Sequence, residues 1–259
     1  MSTSQENAEK IILLLKGSSE DQLQGMQLIS AFSPTDEIPQ KLQSRISWRP
    51  QNILWGTKPN FTIDDEYVSI HKESDLLLLW IQMGFVDPNS ITFLIGNASS
   101  IDILKELLPL LCNLEKFIVV RYVGVPREII QCKKLKYIST KEIPDWIGEL
   151  KSLYSIDAVY ASNTSLPESI LDLPNIAFID LWGSQIQHIP MKLVEKESVK
   201  QIRFTRKDYS FTLPTNQLYH QKVLWSKPMR TVFPRLSMYF AENVVLNRLQ
   251  QLGIHSKQQ

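Results

Sequence analysis

Six apolar positions, Ile91, Leu114, Leu135, Leu153, Ile176 and Val199, recur at intervals of 23, 21, 18, 23 and 23 residues. The fullest unit starts at Ile176 and places Ile179, Leu181, Ile186, Ile189, Pro190 and Leu193 at offsets 4, 6, 11, 14, 15 and 18. The unit before it keeps the same frame, with Ile156, Ala158, Leu166, Pro167, Ile170 and Leu173 at offsets 4, 6, 14, 15, 18 and 21. A period of this length means one thin supersecondary unit per repeat. Such a unit cannot cover its own apolar side, so neighbours stack and bury one another. Stacked units expose a broad side-chain surface and enclose no reaction cleft, which makes binding the default function.

The chain has 259 residues, enough for a long solenoid with ample core. Its charge is unevenly placed: −5 over residues 1–90, 0 over 91–204 and +6 over 205–259. An acidic head and a basic tail can attract each other or steer a partner. Two cysteines are too few for a disulfide-built scaffold. The N-terminus lacks the basic start, apolar core and cleavage site of a secretion signal. No apolar run reaches the ~18 residues of a membrane span. A cytoplasmic protein without a membrane partner is expected.

Three regions follow. Residues 1–90 form an N-terminal cap, 91–204 the solenoid and 205–259 a C-terminal cap. In the first, Ala8 to Lys16 reads as a helix ended by Gly17, and Ser19 with Gln22 as the capping box of a second helix. Pro34 and Pro39 break that helical pattern, leaving a hairpin followed by an irregular, partly strand-like stretch. Residues 67–71 and 75–83 read as a strand and a helix leading into the repeats. After Phe204 the repeat stops, and Ser237 to Leu252 reads as an amphipathic helix of the C-terminal cap.

The segments Leu166-Pro-Glu-Ser-Ile-Leu-Asp-Leu-Pro-Asn-Ile176 and Ile143-Pro-Asp-Trp-Ile-Gly-Glu-Leu-Lys-Ser-Leu153 resemble the LPxxIxxLxxL arm of the leucine-rich repeat family. The resemblance covers about residues 91–204 and fits the family's roughly 23-residue bacterial and intracellular type. It implies an α/β solenoid, with short parallel strands on a concave face that binds protein ligands. The family's usual Asn at offset 9 is replaced by Ser99, Ala161 and Ser184, which weakens the expected turn-to-turn ladder. The Leu135 unit lacks five residues between strand and arm and the Leu114 unit lacks two, so uneven curvature is expected.

Catalytic patterns are thin. There is no phosphate-binding glycine loop and no GxSxG elbow, and the four histidines stand far apart. His188 reads as an ordinary surface histidine, and Cys132 as a rung of the core ladder with Cys112 beside it. No enzyme activity, cofactor or metal is expected. Offset 3 brings Phe93, Lys116, Tyr137, Ser155, Phe178 and Gln201 to the concave face, and offset 5 brings Ile95, Ile118, Ser139, Asp157, Asp180 and Arg203. Tyr160 and Trp182 lie just beyond. Aromatics beside isolated charges are the usual composition of binding hot spots. The expected partner-binding residues are therefore Tyr137, Asp157, Tyr160, Phe178, Asp180, Trp182 and Arg203. A cognate inhibitor, an immunity-type protein or an adaptor would suit such a surface. The alternative is nucleic-acid binding through the basic, aromatic tail around Lys222, Trp225, Lys227, Arg230 and Arg235. That tail carries no nucleic-acid motif, and Lys and Arg stems lying over a cap are the favoured reading.

Overall fold

The computed structural model describes residues 3–49, 60–119, 124–186, 189–205 and 223–226. It begins with three helices, α1 (Thr3–Lys16), α2 (Ser19–Ser30) and α3 (Glu37–Gln43). In α1, Ala8, Ile11, Ile12 and Leu15 fall on one face and are buried. The helix starts five residues before the expected Ala8, because its polar first turn carries no apolar spacing. The expected capping box of α2 is displaced by one residue: Ser18 and Asp21 cap each other, at 3.3 and 2.9 Å. Pro39 does not break a helix. It sits in the first turn of α3, where its missing N–H costs nothing.

Gln22, released from capping, has another task. Its buried amide donates to the carbonyls of Leu15 (3.1 Å) and Ser69 (2.9 Å) and accepts from the His71 N–H (2.8 Å). One side chain thus ties the end of α1 to the segment that leads toward the repeats. Between them lies an antiparallel sheet, order β1 (Ile46–Arg49), β2 (Asn60–Ile63), β3 (Glu66–Val68). Its β2–β3 turn places Asp64 and Asp65 at φ of 54° and 63°. Arg45 clasps the Asp64 carboxylate at 2.6 and 2.9 Å and Lys16 adds a third contact at 3.2 Å. Arg45 foremost holds that carboxyl down to about 2. The fourth helix, α4 (Glu73–Gln82), closes this region.

The repeats build a parallel sheet of seven strands, from β4 (Phe93–Gly96) through β5 (Lys116–Val119), β6 (Tyr137–Ser139), β7 (Ser155–Asp157), β8 (Phe178–Leu181) and β9 (Gln201–Thr205) to β10 (Val223–Ser226). Register follows the sequence offsets. Leu94, Phe117, Ile138, Ile156, Ile179 and Ile202 stand side by side and are all buried. β10 corrects the expectation that the pattern ends at Phe204. It pairs parallel with β9, Val223 beside Ile202, but has no recognisable arm of its own to betray it in sequence.

Return arms explain the proline signature. The carbonyls of Pro126, Pro144, Pro167 and Pro190 accept from the N–H groups of Ile129, Ile147, Ile170 and Leu193, at 2.9–3.2 Å. Each single turn drops one fully buried aliphatic side chain into the core. Gly148 is required where two arms touch: a Cβ there would stand 2.2 Å from the Ser169 carbonyl oxygen. The first unit uses a longer helix, α5 (Ile101–Leu107), and the last described arm is α6 (Met191–Glu195).

The turn-to-turn ladder is redistributed. Ser99 is exposed, Ala161 offers no polar group, and the buried Ser184 hydroxyl has no partner among the described residues. Asn163 compensates by bonding both the N–H (2.7 Å) and the carbonyl (3.0 Å) of Ile143. On the opposite edge Asn113 reaches Asn89 O, Asn175 reaches Lys151 O and Ser152 reaches Lys133 O. At the head, the Ser74 N–H donates to Asn97 O (3.1 Å) and its hydroxyl to Ile95 O (3.4 Å), while Asp75 accepts from Ser99. The start of α4 thereby satisfies the first strand. One continuous core runs from Ala8 to Ile202.

Two stability changes of opposite sign are expected. Gln22→Ala removes the side-chain partner of three backbone groups, two of them only partly buried, and should cost about 1–2 kcal/mol in urea unfolding. Asp65→Gly relieves a left-handed backbone without touching the clasped carboxylate and should gain about 1 kcal/mol.

Candidate binding face

The sheet has one face against the return arms and one open face. The open face carries two rows in register: Phe93, Lys116, Tyr137, Ser155, Phe178 and Gln201, then Ile95, Ile118, Ser139, Asp157, Asp180 and Arg203. All seven expected site residues belong to this face or to the turn just past the strands. They differ in how far they reach solvent.

Tyr137 is more enclosed than an exposed hot spot would be, at 8% exposure. Its hydroxyl donates to Asp157 Oδ2 (2.9 Å), and Lys116 Nζ lies 4.6 Å from its ring and 5.2 Å from that of Phe93. Burial, and then the Asp157 charge, push its phenol well above the ordinary range.

Asp157 and Asp180 occupy the same offset in successive repeats and end their strands in the same way. Each Oδ1 accepts from the N–H two residues on, Val159 at 3.2 Å and Trp182 at 3.0 Å. The two differ in cation. Arg203, in register with Asp180, donates from Nε to Oδ1 at 2.8 Å. Arg203 Nη2 lies in ion contact with Oδ2, without a well-directed hydrogen bond. Burial raises the Asp180 carboxyl and Arg203 pulls it back.

Beyond the strands, offset 8 is left-handed in both repeats, with φ of 59° at Tyr160 and 68° at Gly183. A Cβ on Gly183 would stand 2.5 Å from the Tyr160 ring, so the glycine makes room for it. Tyr160 then meets Trp182 edge-on, centroids 4.9 Å apart at 70°. Lys141 Nζ lies 5.3 Å from the Tyr160 ring and donates to Val159 O, and Arg203 lies 6.0 Å from the Trp182 ring. Tyr160 is exposed and Trp182 half-buried. Phe178 is half-buried and edge-on to Tyr154 at 5.4 Å. Lys141 was missed in sequence, although its offset of 7 in the shortened Leu135 unit matches Val159 and Trp182.

Away from this face, Cys132 is buried as expected, its thiol donating to Leu108 O at 3.4 Å and pushed up to about 12 by burial. Cys112, expected beside the core ladder, is exposed. His188 and the tail residues Lys222, Lys227, Arg230 and Arg235 lie outside the described residues. Among the described residues, no three His, Cys, Asp or Glu side chains gather as a metal site requires, and no helix is long and apolar enough to cross a membrane.

One thiol is expected to react with a disulfide reagent in the native protein and two after denaturation. An ordinary thiol ionises near pH ~8.5. The unfolded state therefore sheds the Cys132 proton first, and stability should fall as pH rises from about 9 toward 12. Cys132→Ala should remove the part of that slope below about pH 10, and the part above it, to which the Tyr137 phenol contributes, should remain in alkaline unfolding curves.

No family profile matches the sequence, and no curated protein is significantly similar to it. Solved structures with partial likeness include a leucine-rich repeat protein of Leptospira interrogans, at 21% identity and TM-score 0.32 over 43% of this chain. An internalin of Listeria monocytogenes matches at 13% and 0.39 over 58%, and the Toll–Spätzle complex of Drosophila at 18% and 0.39 over 60%. The chain spans 35%, 58% and 23% of those chains, respectively. The assignment rests on this chain's own geometry: with offset-matched parallel strands and Pro-initiated return arms, it is a leucine-rich repeat solenoid.

Proposed function

We propose that the chain is a non-catalytic protein-binding solenoid. Its partner docks on the open face over Tyr137, Asp157, Tyr160, Phe178, Asp180, Trp182 and Arg203. The observation that carries this reading is Tyr160. An exposed aromatic ring is held on a left-handed backbone, the conformation that glycine supplies in the next repeat. A non-glycine residue there costs about 1 kcal/mol, and such strain gathers where a side chain must be presented. Trp182 and Phe178 stand beside it, and aromatic anchors near charged side chains dominate interface energies.

Size supports the reading too. Spaced about 4.8 Å apart, the six strands that carry the two rows span about 24 Å, which suits a standard interface of roughly 800 Å² per partner. A rigid surface of this kind fits an inhibitor, an immunity-type protein or an adaptor.

The test is affinity capture from lysate of the source organism, with nuclease present, comparing wild type with Phe178→Ala/Trp182→Ala. Two lost anchors should weaken the captured partner by at least about 100-fold, with the melting temperature shifted only slightly. A partner held equally well by a folded double variant overturns the open-face reading.

A further inference from the structure

The middle of the open face is drier than its ends. Lys116, Tyr137 and Ser155, register neighbours on β5, β6 and β7, are 9%, 8% and 7% exposed, whereas Phe93, Phe178 and Gln201 in the same row are half-buried. The three shield one another in part. The Tyr137 hydroxyl reaches across to Asp157 on β7, so its ring covers Ser155. Lys116 Nζ lies between the rings of Tyr137 and Phe93, 4.6 and 5.2 Å from their centroids. Flanking rings screen the stem of a lysine, but its outward tip needs a cover of its own. Lysine is almost never this dry unless its ammonium is paired, and Lys116 has contacts beyond the two rings. Among the described residues, no helix or arm packs on β5, β6 or β7 from the open side. The dry patch is three strands wide, about 10 Å, which is the diameter of one α-helix.

The chain supplies a helix that fits. Strand β10 ends at Ser226, and residues 227–259 lie outside the described residues. In sequence, Ser237 to Leu252 has helical spacing. At about 100° per residue, Met238, Ala241, Val245, Leu249 and Leu252 share a stripe about 100° wide. Glu242 falls inside that stripe and is the only acidic residue in 227–259. A carboxylate within an apolar stripe is costly to bury unless a cation meets it. The open face holds the complement: Lys116, with Phe93, Ile95 and Ile118 around it on β4 and β5. Reach is sufficient. From β10 to β6 is four strand spacings, about 19 Å, and the ten residues 227–236 extend to about 33 Å.

We infer that residues 237–252 of this chain lie as a helix across the middle of the open face, Glu242 against Lys116, and that a partner protein competes with them for it. The contact within the chain stands on its own, and the competition rests on the open-face reading.

The experiment uses the full chain. Ile118 is replaced by the photo-crosslinker p-benzoylphenylalanine, and the products are mapped by mass spectrometry. Separately, acylation of Lys116 by an amine-reactive ester is timed against that of exposed Lys141. Both are repeated in Val245→Asp/Leu249→Asp and in Glu242→Lys, and the crosslinking alone in Glu242→Lys/Lys116→Glu. Melting curves establish that each solenoid is folded. Wild type should crosslink within one molecule to residues 237–252, and should acylate Lys116 at least tenfold more slowly than Lys141. The first two variants should lose the crosslink and acylate Lys116 at least tenfold faster than wild type. The charge swap should restore the crosslink.

A crosslink confined to the strands, or one that joins two molecules, overturns the contact and leaves the open-face reading standing. Lys116 that stays protected in Val245→Asp/Leu249→Asp does the same. A partner captured through Phe178 and Trp182 should bind that variant at least tenfold more tightly than wild type, and equal binding overturns the competition. A partner indifferent to Phe178 and Trp182 overturns the open-face reading and the competition with it, while the crosslink still decides the contact.

Discussion

Register is the constraint on which the rest depends. Leu94, Phe117, Ile138, Ile156, Ile179 and Ile202 bury against one another only if each strand lies level with the next. Burial of one such side chain is worth about 2 kcal/mol. A slip of one residue would turn that row to solvent and bring Lys116, Asp157 and Asp180 inward. The Pro-initiated turns reinforce the same alignment by setting Ile129, Ile147, Ile170 and Leu193 at one height. Because the core already fixes register, the polar lacing between turns is free to move. Asn163 serves one edge, while Asn113, Ser152 and Asn175 serve the other.

That freedom explains how much could be read from the chain. The offsets give the strand rows residue by residue, since apolar period and pleat follow the same count. They place Cys132 in the core as the counterpart of Leu111. They do not reveal β10, whose partner strand is defined by pairing rather than by a repeated arm. Local rules misplace the α2 cap by one residue, because Ser18 and Ser19 are both competent caps and only the structure shows that Asp21 reciprocates. The role of Gln22 is illegible in sequence: its partners, Ser69 and His71, lie more than forty residues away.

On the open face the same side chains serve architecture and recognition. Asp157 and Asp180 end their strands by accepting N–H groups two residues on, a task that asks for Asp, Asn, Ser or Thr but not for charge. The charge of Asp180 is matched within the chain by Arg203. Burial is unfavourable to an unmatched carboxylate, so the charge at Asp157 is not explained by the turn it caps.

Tyr160 and Gly183 sharpen that distinction. Successive repeats require the same left-handed backbone, and glycine meets the requirement at no steric cost in the second. In the first, a bulky aromatic takes the position, against Ramachandran preference. Its ring lies over the glycine and edge-on to Trp182, contacts that offset about 0.5–1.5 kcal/mol of the strain. A small residue at position 160 would achieve the same turn without an exposed ring. What the tyrosine adds is an aromatic edge beside Trp182, held in place before any partner arrives. Preorganisation of that kind lowers the cost of ordering an anchor on association. The backbone strain is then a local consequence of presenting the ring rather than of building the solenoid.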